Sequence, residues 1–349
     1  MSYAKGGCEQ MKAFVTVASS LVLTLAPCII AGAQQVPVLQ ISQTIALPGV
    51  NGGFDHLAYD PQRKRLFLAA EDHGSVEVID LHRGQRVRSI SGFRNPHSIL
   101  FRPGASSFLV TDSGPEASAL VDTAALKKTQ TLKLALGANC ILFDAQRKVM
   151  YETAGGDRVG EKTSTLETVD PETGNVLKSV QVGALHLQPM ALDPKTGRLF
   201  VNLADQNVIG IYDRNTLARI ATWPIPKGSQ NSPIAFDPAQ RRLFVVASDP
   251  GILLELDPES GELRSSVPTP PNPDDMALDG ATGRLYVPGS GALSVYDVSV
   301  PGRLKLLEQA RTGEDARTGL LFASATKYAV AVPAAGGRVA RVLIFDIGR

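Results

Sequence analysis

Cysteine and tryptophan are scarce in this 349-residue chain, which has three Cys and one Trp. Cys8 and Cys28 lie in an N-terminal segment that we expect to be removed, so Cys140 has no partner and disulfides cannot hold the fold. A net charge of +1 gives no strong attraction to a polyanion. The few aromatics, 6% of the residues, are not interleaved with basic residues as base-stacking platforms would be. We therefore expect no nucleic-acid partner.

The motifs of common hydrolases and redox enzymes are also missing. The chain has no His-Glu-x-x-His, no Gly-x-Ser-x-Gly and no Cys-x-x-Cys. A glycine-rich stretch at residues 155–163 resembles a phosphate-binding loop, but Glu161 interrupts the Gly-Lys pair and the pattern joins two strands. These absences weaken the zinc-protease, serine-hydrolase and thiol-redox classes.

Long apolar runs are absent after the first forty residues. Residues 13–25 form an apolar stretch behind Met11 and Lys12, and a small-x-small cleavage signal ends at Ala33. The stretch is shorter than the ~20 residues that a spanning helix needs. We expect a signal peptide over residues 1–33, with Met11 as an alternative start, and a mature chain of residues 34–349 without a transmembrane segment. That chain would be periplasmic or secreted, and monomeric.

A repeat of 40 to 49 residues runs through the rest of the chain. Five copies open with an Asp turn, which continues with Pro in three of them, before a core similar to Arg-Leu-Phe-Val; the second and seventh copies lose this acid but keep the apolar frame, and every copy closes on an Asp. Apolar residues alternate or run for four to six positions between turn residues, which is typical of short strands. A period of this length with β-type units predicts a propeller. The closing acids are Asp80, Asp122, Asp170, Asp213, Asp257, Asp297 and Asp346.

These acids precede turns, so we interpret them as structural rather than catalytic. Basic residues open the second strand of most repeats at the end of the ring opposite the mouth, and we expect them to be turn-side charges near the Asp, each pairing worth ~0 to 1 kcal/mol. They include Arg65, Lys148, Arg198, Arg242, Arg284 and Lys327.

The two ends of the chain predict how the ring closes. Only three residues follow Asp346, so the seventh repeat lacks its fourth strand. Residues 38–46 resemble the fourth strands of other repeats and can complete the last blade. Such closure removes exposed sheet edges. The fold class is therefore an all-β, seven-bladed propeller of four-stranded antiparallel blades in a single domain.

The cores of the repeat, as in Val76-Glu-Val-Ile-Asp80, resemble the YVTN-type β-propeller repeat. The mature chain is similar to exported YncE-like proteins from about Val38 onward, with specific stretches around Phe54-Asp-His56 and Asn95-Pro-His97. The resemblance implies a periplasmic seven-bladed propeller. It carries no catalytic residue onto this sequence.

Functional residues are expected at one mouth of the central channel, where the innermost strands of all blades begin. In every repeat, the residue five places before the turn Asp, or before its equivalent, is polar. The residue two places after that polar position is apolar in every repeat, and we expect it to pack between blades. Five further residues whose side chains could bind a ligand or transfer a proton lie beside that ring. The candidates are Asp55, His56, His97, Asn139, His186, Gln188, Asn231, Ser232, Asp274, Asp275, Arg317 and Thr318.

These candidates leave two main functions open. The first is a binding or scaffold protein that holds a small ligand, peptide or partner protein at the mouth, and the lack of a complete catalytic motif favours it. The alternative is a metal-assisted lactonase or lyase with His56, His97 and His186 as candidate ligands. Asp55 with His56, or Asp274 with Asp275, would then do acid–base work, provided that each adjacent pair can face the same site. We assign neither a cofactor nor a metal from the sequence.

Overall fold

In the computed structural model, which describes residues 37–348, seven four-stranded antiparallel sheets form a closed ring. The described residues contain 28 strands and no α-helix. Two short 3-10 segments, Asp157–Val159 and Ala204–Gln206, lie in loops between second and third strands. The predicted seven-bladed propeller is confirmed.

The strands follow the repeat in chain order, from the innermost to the outermost strand of each blade. The first is β1 (Leu39–Ala46), which belongs to blade 7. Blades 1 to 3 contain β2 (Leu57–Asp60), β3 (Arg65–Ala70), β4 (Ser75–Asp80), β5 (Gln85–Ser91), β6 (Pro96–Leu100), β7 (Ser107–Asp112), β8 (Ala119–Asp122), β9 (Lys128–Thr131), β10 (Ile141–Asp144), β11 (Val149–Gly155), β12 (Ser164–Val169) and β13 (Val176–Val182).

Blades 4 to 7 continue the same order. They contain β14 (Leu187–Asp193), β15 (Arg198–Leu203), β16 (Val208–Asp213), β17 (Arg219–Pro224), β18 (Ser229–Asp237), β19 (Arg242–Asp249), β20 (Ile252–Leu256), β21 (Leu263–Pro268), β22 (Ala277–Asp279), β23 (Arg284–Gly289), β24 (Ala292–Asp297), β25 (Lys305–Arg311), β26 (Thr318–Leu321), β27 (Lys327–Val332) and β28 (Arg341–Ile347).

Aspartates organise the turns on the face opposite the mouth. Asp193 ends β14, is fully buried, and accepts the backbone N–H groups of Lys195 and Thr196 at 3.0 and 3.4 Å. The closing acids act in the same way; Asp213, for example, accepts the N–H groups of Asn215 and Thr216. Each carboxylate satisfies amides that would otherwise lack partners in a tight turn.

The ring closes through the N-terminal strand, as predicted. β1 pairs antiparallel with β28, from Leu39 opposite Ile347 to Ala46 opposite Arg341. The two ends of the described chain meet, since Gly348 donates its N–H to the carbonyl of Val38 at 2.8 Å. Blade 7 therefore combines strands from both ends of the chain.

The core consists of apolar layers between neighbouring blades. Phe67 of blade 1 packs on Phe108 of blade 2 with ring centroids 4.5 Å apart, and Tyr286 of blade 6 stacks on Tyr328 of blade 7 at 5.4 Å. All four rings are buried. Second and third strands supply most buried residues, whereas fourth strands such as β17 are largely exposed.

Arg242 pairs with the turn Asp of its blade, as predicted, but the pair is buried. Its side chain is 1% exposed, and its guanidinium contacts Asp237 Oδ2 at 2.7 Å and lies 5.0 Å above the Phe244 ring. Arg198, at the equivalent place in blade 4, is 28% exposed and pairs with the exposed Glu259. The same repeat position is thus a buried ion pair in one blade and a surface charge in another.

The expected signal peptide, residues 1–33, lies outside the described residues. Within residues 37–348, no helix is long and apolar enough to cross a membrane.

Candidate functional site

The candidate site lies where the innermost strands begin, at one mouth of the channel. Asp55 and His56 directly precede β2, and Asp274 and Asp275 lie just before β22. Because these pairs stand outside the regular strand pleat, the alternation that would point adjacent side chains to opposite faces does not apply. Both members of each pair can therefore reach the same site.

Asp55 is the centre of a hydrogen-bonded network of side chains from three blades. Its Oδ2 lies 2.6 Å from His97 Nδ1, and its Oδ1 lies 3.3 Å from His56 Nε2. His56 Nδ1 in turn lies 2.8 Å from Asp275 Oδ1, a contact across 219 residues of sequence. The backbone N–H of Gly319 donates to Asp275 Oδ2 at 2.8 Å. Asp55 and His56 come from blade 1, His97 from blade 2 and Asp275 from blade 6.

Arg317 and Asp274 form a second ion pair at the mouth. Arg317 Nε lies 2.8 Å from Asp274 Oδ2, and the Asp274 backbone N–H donates to the Arg317 carbonyl at 3.0 Å. The starts of blades 6 and 7 are thus tied by both backbone and side chain. Part of each side chain remains exposed, so the pair borders the solvent of the mouth.

Amide and hydroxyl side chains continue the ring on the side of blades 3 to 5. Gln188 Nε2 lies 3.0 Å from His186 Nε2, and Ser232 Oγ contacts Gln188 Oε1 at 3.4 Å. Asn139 lines the mouth beside Gln188, and it also lines an adjoining cleft together with His186.

Two sequence candidates do not reach the mouth. Asn231 is fully buried and donates to Asn202 Oδ1 at 2.7 Å and to the Val208 carbonyl at 2.9 Å, so it links blades 4 and 5 internally. Thr318 is 1% exposed, and its hydroxyl has no hydrogen-bond partner among the described residues. Their sequence positions are equivalent to those of mouth residues, but their side chains turn into the blades.

Four residues outside the predicted set line the mouth: Glu71, Cys140, Arg158 and Pro189. Glu71 follows β3, and Arg158 lies in the loop between β11 and β12. Both residues lie in loops between second and third strands, which end on the face where the innermost strands begin, so loop position is the signal that could have identified them. Cys140 directly precedes β10, and its thiol is within hydrogen-bonding reach of His56.

The mouth narrows to a polar pit of about 20 Å³, which has room for about one water-sized occupant. Beyond it, the channel contains a cavity of about 230 Å³. Four residues line both spaces and form the constriction between them: His56, Cys140, Pro189 and Asp274.

Apolar side chains of the innermost strands line the deeper cavity. They include Leu57, Ile99, Ile141, Ile234 and Met276. The prediction that these side chains pack between blades is therefore incomplete, because one side of each faces the channel. The switch from polar to apolar lining occurs within one or two residues along each strand.

His56 is held as a cation between two carboxylates. Burial disfavours the charged ring, but Asp55 and Asp275 outweigh burial and raise the pKa of His56 well above its usual value. For Asp55, burial would raise the pKa, but His56, His97 and Arg317 outweigh it and lower the pKa below its usual range. Asp55 is therefore ionised and His56 protonated at neutral pH.

The other two acids of the mouth have raised pKa values. Burial raises the pKa of Asp274 to about 7, and the charge of Arg317 only partly offsets this. Burial and the negative charge of Asp55 also raise the pKa of Glu71. Burial raises the pKa of the Cys140 thiol as well, so the neutral form of that group is favoured.

Potential metal ligands converge at one point of this network. One ligand atom each from Asp55, Glu71 and His97 can be chosen so that all three lie within 4.8 Å of one another. An imidazole with two carboxylates is a donor set that several divalent transition metals accept.

Comparison with known proteins identifies the fold and no family. No protein-family model matches the chain, and no curated protein matches it. A chain in the crystal structure of the mitotic checkpoint complex is similar over 95% of this chain and all of its own length, with a TM-score of 0.72 and 13% identity. A chain of Kuenenia stuttgartiensis hydrazine synthase is similar over 74% of this chain and 83% of its own, with a TM-score of 0.58 and 16% identity.

At these identities the likeness shows architecture alone. The protein is a seven-bladed β-propeller with a WD40-like fold.

Proposed function

We propose that this protein is an exported, monomeric binding protein of the YVTN/YncE type, whose ligand sits at the polar mouth of the channel. One observation carries the proposal: segments of blades 1, 3, 6 and 7 bring two arginines, three carboxylates and one imidazole around a single small pit, and His97 and Asp275 contact this set from behind. Elsewhere the chain uses its charged residues mainly for turns and surface pairs. Charged groups that converge on a concave, partly buried site are typical of ligand recognition.

The charges of the mouth favour a small polar ligand, or the polar end of a peptide, over an apolar one. Arg317 offers a guanidinium beside Asp274, and the exposed Arg158 lies on the opposite wall. Carboxylates and amides between them can accept or donate hydrogen bonds. The fold is also compatible with a protein partner, whose contact would then include the mouth rather than the blade rims alone.

Native mass spectrometry and thermal shift test this proposal. We expect the purified protein either to carry a bound small molecule or to be stabilised by members of a panel of amino acids, hydroxy acids and sugar acids. Arg317→Gln removes a mouth cation and should abolish both signals. Arg88→Gln, on the exposed outer strand β5, is the matched control and should preserve them. Signals that survive in Arg317→Gln, or their complete absence from the wild-type protein, would contradict binding at the mouth.

A metal-assisted lactonase or lyase is the second candidate, and one observation favours it. Asp274 combines a pKa of about 7 with a place at the constriction, which suits a group that gives and takes a proton near neutral pH. Proton release from a panel of lactones in the presence of Zn²⁺, lost in Asp274→Asn, would support this candidate. Absence of turnover would leave the binding function favoured.

Export is part of the proposal and rests on the N-terminal sequence. Mass spectrometry of the mature N-terminus, after expression of the full chain in a bacterial host, should find cleavage after Ala33. A retained N-terminus in the cytoplasmic fraction would contradict export.

A further inference from the structure

We propose that the mouth binds one divalent transition-metal ion, of the Mn²⁺ or Zn²⁺ type, through Asp55, Glu71 and His97. The inference rests on the proposed function, because it identifies a ligand class for the same mouth. It is carried by the arrangement of donor atoms in blades 1 and 2 and does not depend on Arg317 or on an organic ligand.

The donor atoms face one another at close range. His97 Nδ1 lies 2.6 Å from Asp55 Oδ2 and 3.8 Å from Glu71 Oε1. Ligand atoms around an ion with bonds of about 2.1 Å are separated by about 3 to 4 Å. The Glu71 contact already fits, and a small opening of the His97–Asp55 contact would admit an ion in place of the shared proton.

Glu71 lacks the partner that a half-buried carboxylate requires. Its side chain is 20% exposed, lies beside the Asp55 carboxylate, and accepts no hydrogen bond within residues 37–348. Its nearest cationic candidate is the His97 ring at 3.8 Å, whose Nδ1 is directed toward Asp55 instead, and Arg158 offsets its charge only from beyond 4.0 Å. A carboxylate in this setting is costly unless a cation offsets its charge.

The surroundings of Asp55 resemble the outer layer of a metal site. Its second oxygen contacts His56, whose other ring nitrogen contacts Asp275, and the Gly319 N–H holds Asp275 in turn. Hydrogen-bonded chains of this kind orient metal-binding side chains. His97 is itself 1% exposed and fixed in β6, so two of the three donors are already rigidly placed.

The position of the donors leaves the ion accessible from the mouth. Asp55 and Glu71 line the pit of about 20 Å³, which has room for a water molecule or one ligand atom. Three protein donors leave at least one coordination position open, as in metal sites that bind or activate a further molecule. Arg158 lines the same pit and could contact an anionic group bound there.

Isothermal titration calorimetry of the chelator-treated protein tests the inference, with Zn²⁺ or Mn²⁺ alone as the probe. We expect one ion per chain, together with an increase in Tm. Glu71→Gln should weaken binding about 10- to 100-fold or more, since it removes one donor. This variant deletes no hydrogen bond seen in the described structure, so it should fold normally, as circular dichroism would verify. Glu262→Gln, in an exposed turn between β20 and β21, is the matched control and should bind like the wild type.

A second measurement identifies the imidazole donor. Ca²⁺ and Mg²⁺ prefer oxygen ligands, so we expect both to bind at least about tenfold more weakly than Zn²⁺. Equal affinity for Ca²⁺ and Zn²⁺ would overturn the assignment of His97. No binding of Zn²⁺ or Mn²⁺ at 1:1, or equal binding in Glu71→Gln, would overturn the metal site. Organic-ligand binding that depends on Arg317 would survive that failure, so the two proposals can be judged separately.

Discussion

Single residues in this propeller have very different charge states because the ring buries some of them and exposes others. His56 is a cation between two carboxylates, whereas Asp274, two blades away in the ring, has a pKa of about 7. Both side chains line the constriction of the channel. Neighbouring groups with shifted pKa values are frequent at functional sites.

Glu152 shows the same principle away from the mouth. It is fully buried in β11 opposite Glu167 of β12, and one of its oxygens has no hydrogen-bond partner in the described structure. Burial, reinforced by Glu167, raises the pKa of Glu152 well above its usual value. An acid with a higher pKa in the folded state binds its proton more tightly there. Stability therefore falls as pH rises from the ordinary glutamate range through the folded-state pKa.

We predict that Glu152→Gln stabilises the protein at neutral and alkaline pH. The variant keeps the shape of the side chain and removes the ionisation, so the free energy of unfolding at about pH 8 should rise by about 1 kcal/mol or more. The decrease in the free energy of unfolding between about pH 5 and 8 should also be smaller than in the wild type. Urea unfolding across this pH range measures both effects.

Glu255→Gln is the control for this prediction. Glu255 is equally buried, but its carboxylate oxygens accept the N–H of Gly302 at 3.0 and 3.1 Å, so substitution should not stabilise the protein. A Glu152→Gln variant that loses stability at about pH 8, with an unchanged pH dependence, would contradict the buried-acid interpretation.

At the scale of elements, β1 is the strand that closes the ring. It is the outer strand of blade 7 and the element that joins the two ends of the described chain. Residues four apart share a face of a regular strand, but a register shift between Ile41 and Gln43 interrupts β1, and the two isoleucines differ sharply: Ile45 is 1% exposed and Ile41 is 48% exposed. Ile45 packs in the layer between blades 7 and 1.

We predict that Ile45→Ala lowers the free energy of unfolding by about 2 to 4 kcal/mol, because it leaves a cavity in that layer. Ile41→Ala is the same chemical change on the same strand and should alter stability by less than about 0.5 kcal/mol. Equilibrium urea unfolding of the two variants decides the matter. Similar effects of both substitutions would mean that β1 contributes little to closure of the ring.

Two of the site residues that the sequence did not predict lie in loops. The repeat predicts where each innermost strand begins, and therefore located Asp55, His97 and Asp274 in the sequence. It does not predict how a loop between second and third strands folds back over the channel. Glu71 and Arg158 lie in such loops and line the pit.

At the scale of the whole molecule, the seven blades are similar, but only blade 7 of the described ring combines strands from both ends of the chain. Elsewhere a blade is made from consecutive strands, and neighbouring blades meet mainly through side-chain packing. In blade 7, three C-terminal strands pair with one N-terminal strand, so backbone hydrogen bonds resist opening of the ring.

We predict that stability depends on where the chain ends lie relative to a blade. A circular permutant that joins residue 348 to residue 37 by a short linker and opens between Val300 and Pro301 keeps the ends within blade 6, before its outer strand. A second permutant, opened between Glu314 and Asp315, places the ends between blades 6 and 7. Both cuts lie in exposed loops, where new ends are tolerated.

The second permutant should be less stable by about 2 kcal/mol or more, because no strand pairing then holds the ring closed. Chemical unfolding midpoints compare the two. Equal stability would show that packing between blades is sufficient for closure.

The sequence alone determined the strand order, the number of blades, the closure by the N-terminal strand and the face on which polar residues gather. Those features follow from local patterns repeated seven times, because turn residues and alternating apolar positions act within a few residues of one another.

Only the tertiary structure decided which side chains meet. It joined His56 to Asp275 across 219 residues, turned Asn231 into a blade, and buried Arg242, whereas Arg198 at the equivalent repeat position is 28% exposed. The reason is physical: the repeat places backbones equivalently, whereas the contacts of a side chain depend on the packing of the neighbouring blade and on loops that differ from copy to copy.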